Sequence, residues 1–105
     1  SADWLIKLER LAAAMRKTPG KAELLAARGE ICVQLGRFEE AQRDLQEALK
    51  KQGRNNAWLI LLAQACEGSG DRARALKIAK ALAAQPDRLD DAQKTQVREL
   101  LLRLR

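Results

Sequence analysis

The chain repeats itself with a period of 34 residues. Sliding the sequence by that distance brings identical residues together, among them Leu25 and Leu59, Cys32 and Cys66, Gly36 and Gly70, and Ala41 and Ala75. Within each period, apolar residues recur at three- and four-residue spacings, as in amphipathic helices. A fixed period of this length is typical of stacked hairpins that bury their apolar faces only against each other. The sequence therefore predicts a short solenoid of helical hairpins.

The composition supports helices and argues against a sheet. There are 19 Ala and 18 Leu against only eight Val, Ile and Thr residues. Good helix formers dominate, and too few β-branched and aromatic residues remain to build strands. We therefore predict an all-α fold of about six antiparallel helices.

We predict a single repeat domain over residues 1–105, which glycine, proline and capping residues divide into helical segments. Asp71 and either Asn55 or Asn56 are predicted N-caps, and Asp90 with Gln93 has the form of a capping box. A Gly-Ser-Gly turn is expected at residues 68–70. The predicted segments are the second helix of a partial repeat (1–20), two repeats (22–55 and 56–88) and a final or capping helix (89–105).

Small residues at equivalent places predict close helix packing inside each hairpin. Gly29 and Ala63 fall on first helices, and Ala41 and Ala75 fall on second helices. Large side chains there would wedge the two helices of a hairpin apart. Cys32 and Cys66 also lie at equivalent places and are expected to be reduced, buried core residues.

The pattern resembles the tetratricopeptide repeat. The matching positions of the first full repeat are the small residues Gly29, Ala41 and Ala48, the turn glycine Gly36 and the aromatic Phe38. The chain departs from the family pattern at Leu25 and Leu59, where the family has Trp, and at Arg28, where it has Leu. The resemblance implies a right-handed superhelix that binds a protein or peptide segment on its concave face.

The same resemblance implies which residues line that concave face. They are Glu23, Ala26, Glu30 and Val33 in the first full repeat, and Ala57, Ile60, Gln64 and Glu67 in the second. They do not form the Lys, Asn and Arg clamp with which chaperone-binding members grip a carboxylate tail. A mixed groove with an apolar centre instead suits an apolar or helical segment with mixed charges. Trp58 is left open between packing and partner contact.

Two other functions remain open at this stage. The chain could be a spacer or self-association segment of a longer array, with Leu100, Leu101 and Leu104 as the associating residues. A basic nucleic-acid or regulatory module is less favoured, because the net charge of +6 is spread along the chain among Asp and Glu. The Ala-Leu-Arg bias suggests a bacterial protein of secretion, polysaccharide export or envelope assembly, in the cytoplasm or periplasm.

The composition also limits the chemistry. The chain has no His or Tyr and only two Cys, so a His-based triad and a His metal site are excluded, and two Cys cannot make a zinc site alone. No Ser, Cys or carboxylate has a visible base and orienting partner. We therefore expect a non-catalytic chain with no catalytic, cofactor or metal residues and no transmembrane segment.

Overall fold

The computed structural model describes residues 2–105, and in that range it is all-α. Ser1, the first residue of the predicted partial repeat, lies outside the described part. The six α-helices are α1 (Ala2–Lys17), α2 (Ala22–Gln34), α3 (Phe38–Gln52), α4 (Asn56–Gly68), α5 (Arg72–Ala83) and α6 (Asp91–Leu104). A 3-10 helix, Pro86–Arg88, leads into α6. The predicted fold class is confirmed.

The turns inside the two hairpins have nearly the same geometry. Gly36 and Gly70 have φ of +76° and +92°, a left-handed conformation that glycine adopts without steric cost. The next amide closes each turn, from Arg37 N to Cys32 O at 2.8 Å and from Asp71 N to Cys66 O at 2.9 Å. The 34-residue period is thus a repeat of backbone structure as well as of residue types.

The predicted helix starts are confirmed. The Asn55 side chain accepts a hydrogen bond from Trp58 N at 3.1 Å, so Asn55 rather than Asn56 caps α4. Asp71 caps α5. Asp90 and Gln93 form a reciprocal capping box at α6, with Gln93 N donating to Asp90 at 2.7 Å and Asp90 N donating to Gln93 at 3.1 Å.

The helices form two layers. α2, α4 and α6 lie side by side, and α1, α3 and α5 pack against them from the other side. The core lies between the layers, where Leu45, Leu82 and Leu100 are the largest fully buried apolar side chains. Because α4 touches α2, α3, α5 and α6, it is the central helix of the described chain.

Gly29 shows why each hairpin needs small residues. A Cβ atom on Gly29 would lie 2.7 Å from Cγ of Leu45, which is fully buried. One period later the same two places hold Ala63 and Ala79. The first hairpin therefore pairs the smallest residue with a large one, and the second pairs two small residues.

Gly68 has a role that the sequence analysis did not assign. It was expected in the turn, but it is the last residue of α4. A Cβ atom on Gly68 would overlap the ring of Phe38 at the start of α3. The missing side chain therefore makes room for an aromatic ring at the contact between the two hairpins.

An ion pair joins α2 to α3 at Arg28, the position at which the tetratricopeptide pattern has Leu. Arg28 donates two hydrogen bonds to Asp44, from Nε at 2.7 Å and from a terminal nitrogen at 2.8 Å. Asp44 is the one buried charged residue in the described part of the chain. Hydrogen bonding to Asp44 raises the pKa of the Arg28 guanidinium. The equivalent residues of the second hairpin are Leu62 and Ile78, an apolar pair.

We predict that enlarging the residues between paired helices destabilises the fold. Gly29→Ala, Ala41→Leu and Ala75→Leu should each lower the free energy of unfolding by about 1–3 kcal/mol through overpacking. For Gly29→Ala, that loss outweighs the gain in helix propensity of about 1 kcal/mol. Urea denaturation followed by circular dichroism measures the change. Glu30→Ala, at an exposed position next to Gly29, is the control. Unchanged midpoints for all three variants would contradict the packing described above.

We also predict that removing one partner of the Arg28–Asp44 pair lowers the free energy of unfolding more than replacing both partners with apolar residues. Asp44→Ala leaves the guanidinium without its partner and should cost about 1–3 kcal/mol. The double variant Arg28→Leu/Asp44→Ile copies the second hairpin and should cost less, because a buried ion pair gives little net stability over an apolar pair. Lys51→Ala, which removes an exposed ion pair to Glu47, is the control for general charge effects. A double variant less stable than Asp44→Ala would refute the expectation.

Candidate partner-binding surface

A shallow groove runs between α2 and α4 on the layer formed by the first helix of each hairpin. Its volume is about 350 Å³. The residues that line this α2–α4 groove are Glu23, Ala26, Ala27, Glu30, Ala57, Trp58 and Leu61. They recur at three- and four-residue spacings, so each helix presents one continuous stripe to the groove.

The groove contains half of the concave-face residues expected from the sequence. Glu23, Ala26, Glu30 and Ala57 all line it. Ala26 is buried, whereas the other three are exposed. These four residues therefore lie together, although their part in binding stays a prediction.

The groove combines an apolar floor with an acidic edge. Trp58 and Leu61 pack against the core and are only partly covered. Glu23 and Glu30, two turns apart on α2, place two carboxylates along one side. Such a surface can bury a small apolar side chain and attract a neighbouring cation.

The other four expected residues lie elsewhere. Ile60 is 2% exposed and belongs to the hydrophobic core, so a partner has no direct access to its side chain. Val33 packs partly against the core, and Gln64 is partly buried on α4. Glu67 is engaged with α6. The α2–α4 groove thus contains fewer residues than the concave face expected from the sequence.

Glu67 holds the last helix in place. Arg103 donates to both carboxylate oxygens of Glu67, with the shortest bond from Nε at 2.9 Å. These hydrogen bonds raise the pKa of the Arg103 guanidinium. The backbone carbonyl of Arg103 also accepts a hydrogen bond from Arg72 of α5 at 2.8 Å. One residue near the end of α6 therefore connects it to both helices of the second hairpin.

The structure changes the interpretation of the leucines expected to mediate self-association. Leu100 and Leu104 are 0% and 5% exposed and pack inside the chain, and Leu101 is partly buried. Only Leu102, at 60%, is strongly exposed among the leucines of α6. The helical period places Leu100 and Leu104 toward α4 and α5. Their side chains are therefore not available to a second copy of the chain without unfolding.

Sequence reasoning left Trp58 undecided and missed Leu61. Trp58 both packs against the core and lines the groove. Leu61 lies one period after Ala27, and both line the groove. That equivalence, read from the 34-residue period, was the signal that could have found Leu61.

The two cysteines are free and buried, as expected. Burial raises the pKa of the Cys32 thiol and of the Cys66 thiol, which disfavours the reactive thiolate. Residues 2–105 contain no group of three or more carboxylates and thiols able to hold a metal ion. Within the same residues, no helix is long and apolar enough to span a bilayer.

The first complete hairpin decides the family comparison. Residues 22–55 match the tetratricopeptide repeat. This match covers α2 and α3 and confirms the resemblance inferred from the sequence. Repeats of this family are protein–protein interaction modules, so the chain carries such a module. A comparison with curated proteins gives no match.

We predict that Leu104 and Leu102 differ sharply in their contribution to stability. Leu104→Glu puts a carboxylate in the core and should lower the free energy of unfolding by at least about 2 kcal/mol. Leu102→Glu should change it by less than about 0.5 kcal/mol. Urea denaturation measures both, and light scattering gives the mass in solution. A stable Leu104→Glu variant with a reduced mass would restore Leu104 as a self-association residue.

Proposed function

We propose that the chain is a non-catalytic scaffold module that binds a segment of a partner protein in the α2–α4 groove. The observation that carries the proposal is the convergence of Trp58, Leu61 and two carboxylates between the first helices of two neighbouring hairpins. The occupant is a segment with an apolar anchor flanked by Lys or Arg.

The dimensions and charges of the groove support this occupant. Its volume of about 350 Å³ is at the lower end of ligand pockets, enough for one or two side chains rather than a folded domain. Glu23 and Glu30 are exposed, so they steer a cation without losing much hydration. Binding should therefore weaken as salt increases.

The four expected concave-face residues outside the groove have supporting roles in this proposal. Val33 and Gln64 extend the surface beyond the groove, and Glu67 serves through its contact with Arg103 of α6. Ile60 belongs to the hydrophobic core and contributes to the stability of α4 rather than to binding. A partner then contacts α2 and α4 directly and meets α6 only at the edge.

We further propose a place for the module in a larger bacterial protein of secretion, polysaccharide export or envelope assembly. The support is the Ala-, Leu- and Arg-rich composition together with the repeat family. The alternative is a spacer or self-association segment in a longer array. In either setting, we propose that residues 1–105 form one repeat domain, divided into segments 1–20, 22–55, 56–88 and 89–105. The sequence that flanks the chain in its gene separates these settings, since a membrane barrel beside further repeats favours the envelope.

Fluorescence of Trp58 provides a direct test of groove binding. In a Trp4→Phe background, Trp58 is the only tryptophan. A synthetic peptide with a central Leu between two Lys residues should shift its emission, and one with Glu in place of Lys should not. Glu23→Lys/Glu30→Lys should weaken the binding of the first peptide about tenfold, which is about 1.4 kcal/mol.

The control changes charge equally outside the groove. Glu9→Lys/Glu39→Lys alters two exposed carboxylates on α1 and α3 and should leave the affinity unchanged. Leu61→Asp should remove the apolar contact, with circular dichroism confirming that the helices remain. Equal affinity of all variants, or a larger shift of Trp58 emission with the Glu peptide than with the Lys peptide, would contradict the assignment of the groove.

A further inference from the structure

A second groove lies on another face of α4, between that helix and α5. Its volume is about 680 Å³, almost twice that of the α2–α4 groove. Its floor is apolar, with Leu59 and Leu62 from α4 and Ile78 and Leu82 from α5. Leu59 and Ile78 are only partly covered by the chain itself. The α4–α5 groove therefore leaves apolar surface in contact with water.

The equivalent place in the first hairpin is a smaller pocket of about 360 Å³, which Leu8 and Ala12 of α1 also line. There Arg28 and Asp44 form the ion pair that bridges α2 and α3. One period later the two positions hold Leu62 and Ile78, which cannot form such a bridge. The apolar floor of the α4–α5 groove is thus specific to the second hairpin, because these two positions are apolar only there.

The edge of the α4–α5 groove is positively charged. Arg54, Arg74 and Lys77 line it with one carboxylate, Asp71. The Asp71 side chain accepts a hydrogen bond from the backbone of Arg74 at 3.2 Å as the N-cap of α5. Three cations against one occupied carboxylate give an edge that attracts anionic groups.

The contacts of these cations leave room for a ligand. Arg54 donates to the neutral side chain of Asn56 at 3.3 Å. With its amide oxygen toward α5, Gln46 accepts hydrogen bonds from Arg74. Neutral partners position a cation without neutralising its charge. The equivalent places of Arg54, Arg74 and Lys77 hold Gly20, Glu40 and Arg43, so two of the three cations belong to the second hairpin only.

We propose that the α4–α5 groove binds an acidic amphipathic helix of another protein. Leu or similar residues at i, i+3, i+4 and i+7 would lie on the floor, and Asp or Glu on the flanks would meet Arg54, Arg74 and Lys77. The groove is an open trough between two helices, which suits a helix lying along it. Its charge preference is opposite to that of the α2–α4 groove, so one segment does not suit both.

Titration of the full chain with a synthetic amphipathic helix tests the proposal. The probe carries Leu at helical spacing and Glu on both flanks, and its counterpart carries Lys in place of Glu. The Glu peptide should bind by calorimetry and shift amide NMR signals at the α4–α5 groove, whereas the Lys peptide should leave the amides of that groove unshifted. Arg54→Glu/Lys77→Glu should weaken binding by about tenfold or more.

Two further variants separate the groove from general charge effects. Lys94→Glu/Arg98→Glu makes the same charge change on exposed residues of α6 and should bind the Glu peptide normally. Leu62→Arg/Ile78→Asp copies the ion pair of the first hairpin at unchanged net charge and should abolish binding while helicity is retained. If that variant unfolds, the test depends on the Arg54→Glu/Lys77→Glu variant, whose changes lie at exposed residues.

Several results would overturn the proposal. Equal amide shifts at the α4–α5 groove with the Glu and Lys peptides, or full affinity of the Glu peptide for the Arg54→Glu/Lys77→Glu variant, would contradict the proposed role of charge. Amide shifts confined to the α2–α4 groove would place the peptide elsewhere. Sodium decanoate that binds the α4–α5 groove more tightly than the Glu peptide would assign it to a lipid-like amphiphile instead.

Discussion

The close approach of the two helices within each hairpin is the constraint on which the rest of the structure depends. At Gly29 it leaves no space for a Cβ atom beside Leu45. Since the paired helices approach closely, α2, α4 and α6 form one continuous layer, and the surface between α2 and α4 becomes a shallow groove. A wider hairpin would change the position of every residue proposed to meet a partner.

The two complete hairpins share a backbone but differ in chemistry. Their turns have nearly the same hydrogen bonds, yet Arg28 and Asp44 in the first are replaced by Leu62 and Ile78 in the second. Backbone hydrogen bonds and small residues fix the geometry, and the remaining positions are free to vary. This division lets a repeated fold present acidic and basic grooves on different faces of α4.

Local features were predictable because they depend on neighbours in sequence. The caps at Asn55, Asp71 and Asp90 and the helix α1 followed from side-chain hydrogen bonding and helical periodicity. The burial of Ile60 and Leu104 was not predictable in this way, and the sequence analysis expected both residues at binding surfaces. Periodicity shows which residues share a face, but only the docking of α6 decides which face is covered. The α4–α5 groove likewise depends on how the helices pack, whereas Leu61 could have been found from its equivalence to Ala27.

The central position of α4 also affects how the chain must fold. This helix carries one charged residue, Glu67, and residues 57–63 are seven consecutive apolar residues. In the native state its neighbours cover most of that run. While the chain is still being synthesised, α4 emerges before α5 and α6, and the run is exposed to intermolecular association. The speed with which the last two helices dock therefore sets how long a nascent chain is prone to aggregate.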